Sequence, residues 1–285
     1  MYDVEYMSQN ILKAGVIGWP VNHSLSPRLF NYWFQEHSIT GSYKAYAVKK
    51  NEISELLHSM SNRKLIGFNV TVPHKQEIIK YLDCLSDSAK KIGAVNTITL
   101  KDNLFFGDNT DGYGFIENLK QNSNNLEAIK GVCIVLGAGG AARAIVNALV
   151  NFNAKKIIII NRTREKAEKL ASDISGPITV VDWCQRNPYL EKATFVVNTT
   201  ILGMKGNPPL DLDLSSLPKQ ALVNDIVYVP IETKLLRDAR ARGNPTVDGI
   251  GMLLHQARPG FMKWFGKDPF VSENLRHYIL KNNGN

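Results

Sequence analysis

Long apolar runs are missing from this 285-residue chain. No stretch approaches the roughly 20 residues a membrane-spanning helix needs, so no membrane partner is expected. The opening residues, MYDVEYMSQN, carry acidic side chains and no apolar h-region, which is not the pattern of a secretory leader. Cysteine is scarce. Cys84, Cys133 and Cys184 lie far apart and form no CxxC pair, which argues against a disulfide scaffold and for a reduced, cytoplasmic setting. The histidines show no metal-ligand spacing such as HExxH, so no metal is expected. There is no internal repeat and no low-complexity tract, and disorder is expected only at residues 1–9 and 281–285. Acidic residues are in the minority, with 26 Asp and Glu against 34 Lys and Arg, a formal net charge of +8. The cations are scattered among carboxylates. They read as a solvated surface with a modest pull on anionic small molecules, not as the basic or aromatic face of a nucleic-acid binder.

What the chain does contain is an alternation of short β-rich runs with helical runs of 3.6-residue periodicity. That pattern predicts an α/β protein with largely parallel strands. Strands are expected at 14–19, 42–48 and 65–72, then at AVNTITL and NLFFGDNTDG. Between them come a helix capped by Ser26 with Pro27 at its first position, a helix capped by Asn51, and a helix opening at Pro73. From about Gly112 a linking helix leads to GVCIVL, a glycine turn, a helix, and the run IIIINRT (157–163). Four consecutive isoleucines predict a strand buried on both faces. Further strands are expected at ITVVDW, TFVVNTT, ALVNDIVY and NPTVDG, with a helix ending at Gly243. The amphipathic tail from Ile250 has no strand partner left in this second half. It is therefore expected to pack back on the first, making the second domain an insertion. The expected domains are 1–111 plus 249–285, which bind substrate, and 112–248, a Rossmann-type doubly wound parallel sheet.

The turn GAGGAA (137–142) fits G-x-G-x-x-A between a strand and a helix. Gly137 permits the tight turn, Gly139 lets the backbone approach a pyrophosphate, and Ala142 keeps helix and strand close. The helix N-terminus offers free N–H groups and a positive dipole end. Such folds often carry an Asp or Glu at the end of the next strand for the ribose hydroxyls. Here stand Asn161 and Arg162. An Arg at that place makes charge-assisted hydrogen bonds to a 2′-phosphate, with Thr163, Arg164 and Lys166 as further donors, so the expected cofactor is NADP. In the first half, Thr71 and Lys75 in NVTVPHK fall at a strand-to-helix junction, and Asn96 and Asp111 at or near strand ends, where open α/β sheets bind ligands. A Lys beside an Asp in a cleft can exchange a proton with an alcohol or ketone oxygen. His74 is a rival base.

Together these motifs resemble the shikimate dehydrogenase family. The pieces are SLSP (24–27), NVTVPHK (69–75), AVNT (94–97), NTDG (109–112), GAGGAAR (137–143), NRT (161–163), NDIVY (224–228) and DGIGMLLHQA (248–257). They occur in the family's order over nearly the whole chain. The resemblance implies NADPH-dependent, reversible reduction of 3-dehydroshikimate to shikimate on the route to chorismate and the aromatic amino acids. It implies Lys75 as the acid/base and Asp111 as its partner. Substrate would be bound by Ser24, Ser26, Thr71, Lys75, Asn96, Asp111, Tyr228 and Gln256. The cofactor would be lined by Asp87, Gly137, Ala138, Gly139, Gly140, Ala141, Asn161, Arg162, Thr163, Arg164, Glu165, Lys166, Ile226 and Gly249. One departure is Lys166, where relatives often carry Arg; a point charge there could soften the NADP preference. Two other readings stay open: a quinate or dual quinate/shikimate dehydrogenase, and a non-catalytic NADP-binding regulator. A monomer or a homodimer is expected.

Overall fold

A computed structural model of the chain describes residues 11–60 and 64–281. The disorder expected at 1–9 and 282–285 lies outside the described residues, and Lys281 is a turn residue. The first domain runs β1 (Leu12–Gly18), α1 (Ser26–Glu36), β2 (Gly41–Ala47), α2 (Ile53–His58), β3 (Leu65–Val70), β4 (Cys84–Leu85), α3 (Asp87–Ile92), β5 (Thr97–Lys101) and β6 (Leu104–Asp108). Then follow α4 (Asp111–Asn122), β7 (Val132–Leu136), α5 (Gly140–Asn151), β8 (Lys156–Asn161), α6 (Arg164–Asp173), β9 (Ile178–Asp182), β10 (Phe195–Asn198), β11 (Leu222–Asp225), α7 (Lys234–Ala241) and β12 (Thr246–Val247). The chain closes with α8 (Ile250–Phe265) and α9 (Glu273–Leu280).

Two six-stranded sheets result. The second has the order β12-β11-β10-β7-β8-β9, parallel throughout. Read from the other edge this is the 3-2-1-4-5-6 order of a doubly wound sheet, with its switch point between β7 and β10. The isoleucine run behaves as its composition requires. Ile157 and Ile159 enter the core on one face of the sheet, Ile158 and Ile160 the core on the other.

The first sheet, β2-β1-β3-β5-β6-β4, is mixed: β5 runs antiparallel to both β3 and β6. The β5–β6 hairpin turns at Asp102 and Asn103, both at positive φ (51° and 61°), a pairing Asp and Asn tolerate. This antiparallel strand positions the site. Because β5 is reversed, its N-terminal end, with Asn96 just before it, lies beside the C-terminal ends of β3 and β6. Asn69 pairs with Thr97, and Thr97 with Asp108. The tail does return: Ile250, Leu254, Phe261, Trp264, Leu275 and Ile279 share one core with Val16, Leu29, Phe30 and Trp33.

Three local expectations are corrected. Helix α1 has Leu25 at the N-cap and Ser26 as its first residue, with no side-chain cap bond; the Ser24 hydroxyl instead accepts from the Ser26 N–H at 3.3 Å. No helix opens at Pro73. The His74 ring is held by the Val48 carbonyl at 2.7 Å, and the Lys75 carbonyl accepts from the Val95 N–H at 2.7 Å. These bonds tie the segment to neighbouring strands and leave turns there, and a short 3-10 turn at Glu77–Tyr81 is what remains of the helix. Asn51 does not cap α2, which is preceded by a 3-10 turn whose cap is Lys49, with Glu52 accepting from the Lys49 N–H. Strand β4 and helix α3 have no counterpart in the sequence reading, because they are too short to show periodicity.

Candidate active site

The first half of the site is a hydrogen-bonded network. The Lys75 ammonium donates to Asp111 Oδ2 at 2.5 Å, and the two side chains are 15% and 5% exposed. Asn96 Nδ2 donates to Asp111 Oδ1 (2.9 Å), Thr110 Oγ1 (2.9 Å) and Gln256 Oε1 (3.1 Å). The Asp111 N–H is taken by Asn109 Oδ1 at 3.0 Å. Behind Asn96, Asn69 donates to its backbone carbonyl (3.2 Å) and to Thr97 Oγ1 (3.2 Å), and the Tyr43 hydroxyl donates to Asn69 Oδ1 at 2.7 Å. Burial raises the Tyr43 phenol well above its usual range, offset in part by the Ser26 hydroxyl. Gln256 reaches it from α8 because Gly114 leaves no gap between helices: a Cβ there would stand 2.6 Å from Gln256 Cβ. Lys75 and Asp111 are thus a pre-oriented pair, one carboxylate oxygen on the cation and the other on an amide. His74 is buried on the Val48 carbonyl and faces no cleft, which removes the rival base.

Thr71 follows β3 and is half-buried, with its methyl against Gly18. Ser24 is half-buried after β1. Tyr228 follows β11 of the second sheet but packs on the first domain's core. Burial raises its phenol pKa, and its hydroxyl has no hydrogen-bond partner among the described residues.

The other half of the site is the turn between β7 and α5. Gly137 has φ +113°, and a Cβ there would sit 2.5 Å from Thr199 Oγ1, so glycine is required on both counts. Gly139 is different. It is exposed, and a Cβ there would meet no protein atom within 4 Å. The chain itself does not demand glycine at 139; the open space beside its backbone is where a ligand can approach. Free N–H groups of α5 face that space together with Gly140 and Ala141. This fits a dinucleotide pyrophosphate. Beyond β8, Asn161 closes the turn by donating to the Thr163 carbonyl at 2.7 Å. Arg162, Thr163, Glu165 and Lys166 are exposed, and Arg162 and Lys166 make no ion pair among the described residues. Arg164 is committed elsewhere: its guanidinium holds Glu168 at 2.7 Å and Asp182 at 3.0 Å. Gly249 precedes α8, and a Cβ there would lie 2.3 Å from the Ile226 carbonyl, so those two residues are in contact. Asp87 stands apart, exposed at the start of α3 and facing Lys90 at 3.8 Å. Among the described residues no group of three or more His, Cys, Asp or Glu is placed to hold a metal, and no helix is long and apolar enough to cross a membrane.

Two features escaped the sequence. Thr110, inside NTDG, is a hub of the network and donates to the Gln256 carbonyl at 2.8 Å. Asn198 and the fully buried Asp225 tie the loops after β10 and β11: Asp225 accepts from Asn198 (2.9 Å), the Val227 N–H (3.0 Å) and Thr233 (2.7 Å). Polar side chains closing an apolar strand, at 108–110, 198–200 and 224–225, were the available signal.

The halves meet. A Cβ at Gly140 would lie 3.3 Å from Lys75 Cβ, so the dinucleotide turn of one domain abuts the acid/base pair of the other. That juxtaposition defines a two-domain, dinucleotide-dependent dehydrogenase. Comparison with known proteins narrows the class. Residues 16–98 match the family model of the shikimate dehydrogenase substrate binding domain, and 118–202 that of shikimate / quinate 5-dehydrogenase. The NADP(+) shikimate dehydrogenase of Paramagnetospirillum magneticum is 50% identical over 96% of this chain and all of its own. Shikimate 5-dehydrogenase from Thermus thermophilus, solved with NADP(H) and shikimate, superposes with a TM-score of 0.86 at 32% identity, covering 95% of this chain and 99% of that one. Quinate dehydrogenase from Corynebacterium glutamicum, solved with NAD, gives 0.87 at 30%, with the same coverage. The chain belongs to the shikimate dehydrogenase family.

Proposed function

We propose that this chain catalyses the reversible, NADPH-dependent reduction of 3-dehydroshikimate to shikimate. The observation that carries the reading is the Lys75–Asp111 pair set against the dinucleotide turn at Gly140. The chain is an NADP-dependent oxidoreductase of this family, and its place is the route to chorismate and the aromatic amino acids. The nicotinamide, when bound, supplies hydride to the ring ketone or takes it back from the alcohol. The protein's part is orientation and one proton. Charge develops on the ketone oxygen, and the Lys75 ammonium stabilises it and then delivers its proton. Asp111 keeps Lys75 in place, Asn96 holds Asp111, and Gln256 holds Asn96. The neutral Lys75 is re-protonated from solvent, which its residual exposure allows.

Ser24, Ser26, Thr71, Asn96, Tyr228 and Gln256 are the proposed substrate ligands. The unpartnered Tyr228 hydroxyl and the two serines before and at the start of α1 suit a carboxylate. Gly137–Ala141, Asn161–Lys166, Ile226 and Gly249 are the proposed cofactor side. Asp87 joins them only as the weakest member. Arg162 and Lys166, without an ion pair among the described residues, are the cations proposed for a 2′-phosphate. Domain limits of 1–111 plus 249–285 and 112–248, a cytoplasmic location, and a monomeric or homodimeric state complete the proposal. The test is to mix the protein with NADP⁺ and shikimate and follow reduced nicotinamide, with quinate and NAD⁺ as the alternatives. Faster turnover of shikimate with NADP⁺ supports the reading. Preference for quinate moves the chain to the quinate branch, and inactivity with every pair supports a non-catalytic regulator.

A further inference from the structure

Arg143 is a buried cation that the proposed chemistry does not use. It lies on α5, three residues past Gly140, and is 4% exposed. Its Nε donates to the Ile92 carbonyl at the end of α3 in the first domain. Its Nη2 donates to Asp173 Oδ2 at 2.8 Å, at the end of α6 in the inserted domain. Gly93 makes room for it: this residue has φ +65°, and a Cβ there would stand 2.7 Å from Arg143 Nη2. Beside the guanidinium, Ile92 and Ala94 pack on Ala144, a small apolar joint between the domains.

The gripped segment, 92–95, is the one that holds the catalytic pair. The Val95 N–H donates to the Lys75 carbonyl at 2.7 Å. The Ala94 carbonyl accepts from Asn109 Nδ2 at 2.9 Å, and Asn109 Oδ1 holds the Asp111 N–H at 3.0 Å. One continuous path therefore runs from the dinucleotide helix through Arg143 and residues 92–95 to the backbones of both Lys75 and Asp111. A buried guanidinium with one carboxylate and one carbonyl as partners tolerates little displacement, since each lost partner leaves charge unpaired. We propose that Arg143 is a positioning residue that fixes the distance between the dinucleotide turn and the Lys75–Asp111 pair across the domain joint. This rests on the dehydrogenase reading above.

The test uses the whole protein with NADP⁺ and shikimate carrying deuterium on the carbon that is oxidised. Wild-type turnover is the control; its absence would count against the dehydrogenase reading, not against Arg143 as a joint. In Arg143→Met, kcat should fall on the order of 10- to 100-fold, the scale set by ångström misplacement of reacting groups. The deuterium effect on kcat should rise as hydride transfer becomes limiting. NADP⁺ affinity, measured by fluorescence titration without substrate, should stay within about threefold, because the cofactor turn itself is intact. Arg143→Lys should recover part of kcat. If Arg143→Met does not fold, Asp173→Asn decides the matter: it weakens the anchor of Nη2 in the inserted domain, away from residues 92–95, and should give the same signature at smaller amplitude. Wild-type kcat in the folded variants would overturn the proposal. So would a loss of NADP⁺ affinity that tracks a lowered Tm, which marks a purely structural residue.

Discussion

Asp111 and Arg162 occupy comparable places, each just beyond the C-terminal end of a strand, and the chain treats them in opposite ways. Asp111 is buried, and both its carboxylate oxygens and its backbone N–H are bonded inside the protein. Arg162 is exposed and has no ion-pair partner among the described residues. The same contrast extends to their surroundings. Asn96, Thr110, Gln256, Asn69 and Tyr43 are saturated with one another, whereas Gly139 looks onto open space. The acid/base half is assembled before anything binds, so little reorganisation remains for the moment of proton transfer. The cofactor half leaves its donors free because the ligand itself is to satisfy them. Mutations on the two sides should therefore separate into effects on turnover and effects on cofactor affinity.

The largest expected break is at the assembled half. Lys75→Ala should lower kcat by about 10²- to 10⁴-fold, the usual range for a lost acid/base group, with NADP⁺ affinity little changed. Turnover near normal would refute the assignment.

A smaller effect concerns the inserted domain's own buried carboxylate. Burial pushes Asp225 up to about 6 from its ordinary 3.8, against the pull of Thr233, Val227 and Asn198. A folded pKa above the unfolded one means the stabilising contribution is present below the unfolded pKa and is lost as pH rises through the folded one. Relative to Asp225→Asn, the wild type should therefore lose up to about 3 kcal/mol between roughly pH 4 and pH 6. Denaturant melts of both proteins across that window check this. A difference independent of pH would show that Asp225 titrates normally.

Next in size is Arg162→Ala. Loss of a phosphate–guanidinium bond should weaken NADP⁺ by about 1.5–3 kcal/mol, roughly 10- to 150-fold, and leave NAD⁺ nearly unchanged. Arg164→Ala should cost NADP⁺ much less, below about threefold, since that guanidinium is spent on Glu168 and Asp182 and such exposed pairs contribute little. Equal losses for the two arginines would erase the distinction. On the substrate side, shikimate should exceed quinate by roughly 10- to 100-fold in kcat/KM, the cost of burying an extra unpaired hydroxyl. Ser26→Ala should reduce the shikimate value; unchanged kinetics would remove Ser26 from the site.

How much of this was legible beforehand depended on whether a residue's partners were near in sequence. The inserted domain could be read almost entirely. Four isoleucines, GAGGAA and a Gly at 243, found at φ +86° just after α7, are local signals with local causes. The strand β5 was read at AVNTITL, but its reversed direction and the short elements β4 and α3 were not legible, because pairing across a sheet leaves no periodic trace in about six residues. At Pro73 a helix start was the local preference, and bonds from Val48 and Val95 overrode it. Lys75 and Asp111 could be named as candidates. Their contact, and the grip of Arg143 on residues 92–95, exist only once two distant segments are folded together.

The most direct test of the assembled pair is a double-mutant cycle on shikimate oxidation, with Lys75→Ala, Asp111→Ala and the combination. Residues that act as a unit lose their effect together. The double variant should be little slower than the slower single variant. Losses that simply multiply would mean that Lys75 and Asp111 contribute independently, and the account of a pre-oriented acid/base pair would fail.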